Sequence, residues 1–201
     1  MRKIHLGRAW AAVVVAMVFV VAAASAYAAS SGSAPKVKAK HSADVLRFDI
    51  VEDPTRFVFS EKPVDSDGLP AYGNYFVTQG YLYPEGTLNG ADGVLPDGKP
   101  AFPDKVLGEW TCYGTHLGKG AKTEKGPWVI TTQLFSIGKN AGERTLVTDG
   151  YELPEVGVAI KRAITGGTGR YRSAEGEQVQ RLLGFGSTNA IKLRVTLRVE
   201  R

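Results

Sequence analysis

Residues 190–200 read Ala-Ile-Lys-Leu-Arg-Val-Thr-Leu-Arg-Val-Glu, and the alternation there is strict. Ile191, Leu193, Val195, Leu197 and Val199 fall on one side of an extended backbone, and Lys192, Arg194, Thr196, Arg198 and Glu200 on the other. Such a run has one dry face and one wet face. Burying five aliphatic side chains of this size contributes on the order of 1.5–3 kcal/mol each. Eight further runs are rich in β-branched and aromatic residues: 44–51, 56–59, 74–83, 105–117, 128–137, 144–151, 156–164 and 170–183. Glycine, proline or Asp-Gly pairs separate nearly all of them. No run beyond the first thirty residues has a 3.6-residue apolar period. Eight or nine short strands joined by tight turns imply an all-β barrel or sandwich.

The N-terminus differs. Arg2, Lys3 and Arg8 precede a continuously apolar Ala11 to Ala24, and Ala26-Tyr-Ala28 supplies small residues at a cleavage site. Residues 1–28 read as a signal peptide cut after Ala28, residues 29–43 as a flexible spacer, and residues 44–201 as one domain. The expected destination is secreted or periplasmic, with no membrane attachment once the signal is removed. The full chain carries a formal net charge of +5, and without residues 1–28 it has 22 basic and 20 acidic residues, a net of +2. The basic character therefore resides mostly in the leader, and a nucleic-acid partner is not expected. A single cysteine, Cys112, forms no internal disulfide, so the core must stabilise the domain.

Chemical motifs are sparse. The glycine-rich Ile164-Thr-Gly-Gly-Thr-Gly169 lacks a Gly-Lys-Ser/Thr ending and leads into a strand pattern, so it is not a phosphate loop. Cys112 and His116 share one face of one strand, too few ligands for a metal site, and no metal or cofactor is expected. Asp65-Ser-Asp-Gly68 reads as a turn, and Gly86 to Pro103 as a long irregular segment, either a lid or a surface insertion. No internal repeat at a fixed period is expected. Along 105–117, small residues interleave with Trp110, Cys112 and His116 on one face, which suits a barrel lumen with room for a ligand. Arg162 is in phase with Val156, Val158, Ile160 and Ile164. It either points inward toward a carboxylate (Asp49, Glu109 or Asp149), marks a bulge, or snorkels to solvent.

The run Ile164-Thr-Gly-Gly-Thr-Gly-Arg-Tyr-Arg-Ser-Ala-Glu-Gly176, with the strand to Glu200 behind it, resembles the signature of the allene oxide cyclase and dirigent barrel superfamily. The resemblance implies one antiparallel eight-stranded, calycin-like barrel that commonly self-associates as a homodimer or homotrimer. It implies an apolar pocket for a small hydrophobic molecule. There the protein would guide cyclisation, as an isomerase, or steer stereoselective coupling as a dirigent protein. The alternative is a non-catalytic, lipocalin-like carrier. Phe48-Asp49-Ile50-Val51 resembles the first-strand run of the cyclases, with Asp49 at the position of their glutamate and Val51 replacing an asparagine. The same resemblance puts Asp49 or Asp149 forward as the polarising carboxylate and Arg162 or Tyr151 as oxyanion donors. Trp110, Cys112 and His116 would line the ligand site.

Overall fold

The computed structural model describes residues 43–200. They form nine strands: β1 Asp44–Glu52, β2 Val58–Phe59, β3 Tyr75–Pro84, β4 Gly108–His116, β5 Val129–Ile137, β6 Thr145–Glu152, β7 Ala159–Gly167, β8 Glu175–Phe185 and β9 Ile191–Glu200. The sheet runs β1-β9-β8-β7-β6-β5-β4-β3, every neighbouring pair is antiparallel, and pairing of β1 with β3 closes it into the expected eight-stranded barrel. Closure leaves none of the eight strands as an open edge. The two-residue β2 is an extra piece, continuing along β3 beyond the point where β1 leaves it. The signal peptide and nearly all of the spacer lie outside the described residues. Among the described residues, no helix is long and apolar enough to cross a membrane.

Alternation sets what faces inward. Phe48, Ile50, Leu82, Phe135, Leu146 and the four aliphatics Leu193 to Val199 of β9 share one buried cluster. The glycine-rich corner closes one end of this core. β7 continues through Gly167, a 3-10 turn spans Gly169–Tyr171, and β8 begins only at Glu175, so the strand read from residue 170 starts five residues later. Tyr171 and Ala174 turn inward and are 3% and 2% exposed. Gly169 has φ +56°, and a Cβ there would lie 1.9 Å from the carbonyl oxygen of Glu143 in the β5–β6 turn. Only glycine permits that approach. A bulge at Thr165 shifts the β6–β7 register: Val147 pairs with Gly166 and Thr148 with Ile164. It lies beyond Arg162 and leaves that residue facing inward, 2% exposed. Val156 and Val158, expected to share its buried face, precede the strand and are exposed.

Residues 86–103 do not cover the mouth of the barrel. They pack on its outer wall, where Val51, Tyr83, Leu88, Val94 and Ala190 form a second small core. This is why β1 is buried on both faces from Phe48 to Glu52. The segment also contains an internal repeat that the sequence reading missed. Val64-Asp-Ser-Asp-Gly-Leu-Pro-Ala-Tyr72 and Val94-Leu-Pro-Asp-Gly-Lys-Pro-Ala-Phe102 share Val-x-x-Asp-Gly-x-Pro-Ala-aromatic. Both fold into the same miniature hairpin, with bridges Val64 to Pro70 and Val94 to Pro100. In each, the glycine amide donates three residues back, to Asp65 and Leu95, at 2.9 Å. Gly68 and Gly98 have φ +80° and +83°. The aspartate before each glycine accepts the amide two residues on, at 3.2 and 3.1 Å.

Candidate functional site

At the end opposite the glycine-rich corner, the barrel opens into a pocket of about 190 Å³. Its walls are rings: Phe57, Phe76, Trp110, His116, Trp128 and Phe185. Phe76 and His116 pack with ring centroids 5.0 Å apart, and His116 meets Trp128 edge-on at 6.4 Å. Two carboxyls reach this pocket from the last residues of their strands, Glu52 on β1 and Glu152 on β6. They are 5% and 7% exposed.

Glu152 is an acceptor held from four sides. Its Oε1 takes hydrogen bonds from Thr131 Oγ1 at 2.6 Å, Gln133 Nε2 at 2.9 Å and the Cys112 thiol at 3.5 Å. Its Oε2 takes one from Gln180 Nε2 at 2.7 Å. Below it, Arg162 NH1 stands 3.7 Å from Oε1, the Arg162 side chain being wholly buried. The guanidinium also donates to the carbonyls of Thr131 at 2.8 Å, Gly150 at 3.0 Å and Tyr151 at 3.1 Å. Gln133, Gln178 and Gln180 link side chain to side chain deeper in the lumen. A buried polar network of this kind fixes the orientation of its members when they are satisfied.

Glu52 is placed differently. It accepts from Thr78 Oγ1 at 2.8 Å and from the Ile191 amide at 3.3 Å. Burial pushes its pKa above the ordinary value of 4.5; those two hydrogen bonds oppose the rise, and the charges of Glu152 and Asp53 add to it. Burial also lowers the pKa of His116, against the opposing pull of the Asn74 carbonyl 3.3 Å from Nδ1. The Cys112 thiol is pushed well up, first by burial and then by the charge of Glu152. A thiol so placed is a poor nucleophile. The Nε1 donors of Trp110 and Trp128, both on the pocket wall, are buried with no hydrogen-bond partner. Together the site offers one carboxyl inclined to keep its proton, one carboxyl oriented by donors, and two unclaimed N–H groups, in an aromatic enclosure.

Solved structures share this barrel. The pterocarpan synthase dirigent protein GePTS1 matches with a TM-score of 0.53 at 19% identity, over 84% of this chain and 94% of that one. The pterocarpan synthase dirigent protein PsPTS1 matches with a TM-score of 0.55 at 18% identity, over 80% of this chain and 96% of that one. The fold is a dirigent-type barrel. No family model and no curated protein matches the sequence.

In this dirigent-type barrel the expected site residues divide by strand parity. Trp110, Cys112 and His116 line the pocket together. Arg162 points inward, but its carboxylate neighbour is Glu152, not Asp49, Glu109 or Asp149, and it lies beneath the pocket as a support. Asp49, Asp149 and Tyr151 face outward, away from the lumen. Asp149 accepts from Thr132 and, at 2.8 Å, from Thr165. Tyr151 is 47% exposed. Asp49 is completely buried, but under the outer loop. It accepts the amides of Gly86 and Leu88 at 2.8 and 2.9 Å and pairs bidentately with Arg194 at 2.7 and 3.1 Å. Its position explains a fastening role. Asp49→Ala should free residues 86–103 from the wall and raise cleavage within them by thermolysin, before Leu88, Ala91 or Val94, at least tenfold, leaving the pocket walls in place. Limited proteolysis with mass mapping checks this.

Glu52 and Glu152 were absent from the sequence reading. Both lie one residue beyond the strand ends assigned there, where a carboxylate reads as the start of a surface turn. Their phase was the available signal: Glu52 follows Phe48 and Ile50 at two-residue steps, and Glu152 follows Leu146, Thr148 and Gly150.

Proposed function

We propose that the open end of this barrel binds a small, largely apolar molecule and steers its cyclisation or stereoselective coupling. The observation that carries the reading is a buried carboxyl of raised pKa, Glu52, facing an aromatic pocket that also holds an oriented acceptor, Glu152. The rings hold a flexible chain in one conformer, which supplies orientation before any bond is made. In an intramolecular cyclisation, Glu52 gives its proton to a ligand oxygen, and Glu152 takes one proton from the ligand through the less occupied Oε2. The ligand gains one proton and loses one, so the product is an isomer. Trp110 and Trp128 each bring to the pocket wall an indole N–H without a partner, the kind of donor that stabilises an oxygen on which charge develops. Arg162, Gln133 and Gln180 position Glu152. Among the described residues no lysine or arginine lines the pocket, so a ligand carboxylate would meet two acids without a cation. This favours an uncharged ligand. The dirigent fold supports the reading.

The second reading is a non-catalytic carrier. It is favoured by the four donors already held by Glu152 and by the raised pKa of the Cys112 thiol, which leave no activated nucleophile among the described lumen residues. Export, with cleavage after Ala28 to the periplasm or the medium, belongs to the same proposal.

Native mass spectrometry of the protein purified from its own host tests both readings. A retained small molecule is expected, and Trp110→Phe together with Trp128→Phe should lower its occupancy at least tenfold. A protein that carries nothing, and whose tryptophan fluorescence is unmoved by uncharged aromatic ketones, would sink both.

A further inference from the structure

The two miniature hairpins have the same sequence pattern and backbone but different surroundings. The second is seated on its own barrel. Val94 is 2% exposed, Phe102 meets the Tyr83 ring edge-on at 6.0 Å, and the hydroxyls of Tyr81 and Tyr83 donate to the carbonyls of Gly98 and Gly93, both at 2.8 Å. Tyrosines on the outer face of β3 thus form the seat for such a hairpin. The first hairpin has no seat. Val64 is 36% exposed and Tyr72, the counterpart of Phe102, 66%. The Gly68 carbonyl, the counterpart of Gly98, takes no hydrogen bond among the described residues. This hairpin cannot swing down onto its own wall. The Pro70 carbonyl is held by the Ala121 amide at 2.6 Å, and Lys122 reaches Asp67 at 2.9 Å and Asp65 at 3.4 Å.

The same molecule also carries an empty seat. On the outer face of β2 to β6, Val58 pairs with Val77, Val77 with Tyr113, and Ile130 with Tyr151. All five are 38% exposed or more, as is the neighbouring Tyr75. Between Tyr75, Tyr113 and Ile130 lies a groove of about 250 Å³ floored in part by the backbone of Gly114 and Gly150, with Asp149 also on its lining. Its walls carry Tyr75, Tyr113 and Ile130 beside Thr132 and Asp149, and Tyr75, like Tyr81 and Tyr83 of the second hairpin's seat, stands on the outer face of β3.

We propose that the Val64–Tyr72 hairpin docks into this groove on a second copy of the same chain. Tyr72 fills the space between Tyr75 and Tyr113, and its hydroxyl donates to Asp149, whose carboxylate has acceptor sites beyond the two it uses within the chain. Hairpin and groove are different surfaces, so the contact is made either twice about a two-fold axis, in an isologous dimer, or head-to-tail around a closed ring.

Sedimentation velocity on the full chain, across a concentration series, tests the proposal. The native protein should be oligomeric at tens of micromolar. Tyr72→Ser and Tyr113→Ser should each raise the dissociation constant at least tenfold. Leu95→Ser, an equally exposed change on the seated hairpin, should leave it unchanged. Mixing Tyr72→Cys protein with Tyr113→Cys protein should give a mixed disulfide under mild oxidation. The three positions changed in these tests, Tyr72, Tyr113 and Leu95, are all exposed, so unaltered thermal melts will confirm folding. A monomer at every concentration would overturn the proposal. So would an oligomer indifferent to Tyr72→Ser, or disulfides formed only between two Tyr72→Cys chains.

Discussion

Glu152→Leu should destabilise the folded barrel by about 3–5 kcal/mol, the usual consequence of removing one partner from a buried ion pair. The change deprives four donors of their acceptor at once: Thr131, Gln133, Gln180 and the Cys112 thiol. It also leaves the Arg162 guanidinium, with no exposed side-chain surface, facing a hydrocarbon instead of a carboxylate. Each buried polar group left unsatisfied loses its desolvation energy without return. Urea denaturation monitored by tryptophan fluorescence would register the loss as a lower midpoint at constant slope. The double variant Glu152→Leu with Arg162→Met should lose well less than the sum of the two single losses, because it removes the charge together with its partner. Strict additivity would show that Arg162 is held by its backbone carbonyls alone and that Glu152 does not depend on it.

Glu52→Gln should leave the fold standing and remove chemistry. The amide has the shape of the protonated acid and still offers Thr78 an oxygen, but it has no acidic proton. If Glu52 is the proton donor, turnover should fall on the order of 10²–10⁴-fold, the range for a positioned general acid. The native protein should lose activity as pH rises through the folded-state pKa of Glu52, since only the protonated form donates. The same group has a stability signature of defined sign. Its folded pKa is raised above the ordinary 4.5, so the folded state holds the proton more tightly than the unfolded chain. The resulting stabilisation is complete below that ordinary value and is lost as pH rises through the folded value. Urea midpoints measured across this window should fall with pH in the native protein and flatten in Glu52→Gln. Activity of Glu52→Gln within about threefold of native would remove Glu52 from the mechanism.

The barrel was legible because alternation is a geometric property of each strand, and eight of the nine observed strands overlap the sequence-read runs closely. The same alternation, carried through to the strand ends, would have found the pocket acids. Phe48 and Ile50 face the lumen, so Asp49 between them must face out and Glu52 in. Resemblance to the cyclases placed Asp49 in the pocket; parity placed it outside. The outer loop was harder to read. Whether Gly86 to Pro103 lies over the mouth or against the wall depends on tertiary contacts such as Leu88 with Val51 and Asp49 with Arg194, which no local pattern announces. The twin hairpins escaped because two copies of nine residues, three of them variable and a fourth varying between tyrosine and phenylalanine, do not form a periodic array.

Tyr171 and Ala174 seal the far end of the lumen, so the barrel is a cup and not a tube. Whatever enters past Phe57 and Trp128 has to back out by the same door. On the proposed reading, reactant and product therefore take turns at one entrance. A product close in shape to its precursor competes with it directly, and the rate at which the cup empties sets a ceiling on how often it can be refilled.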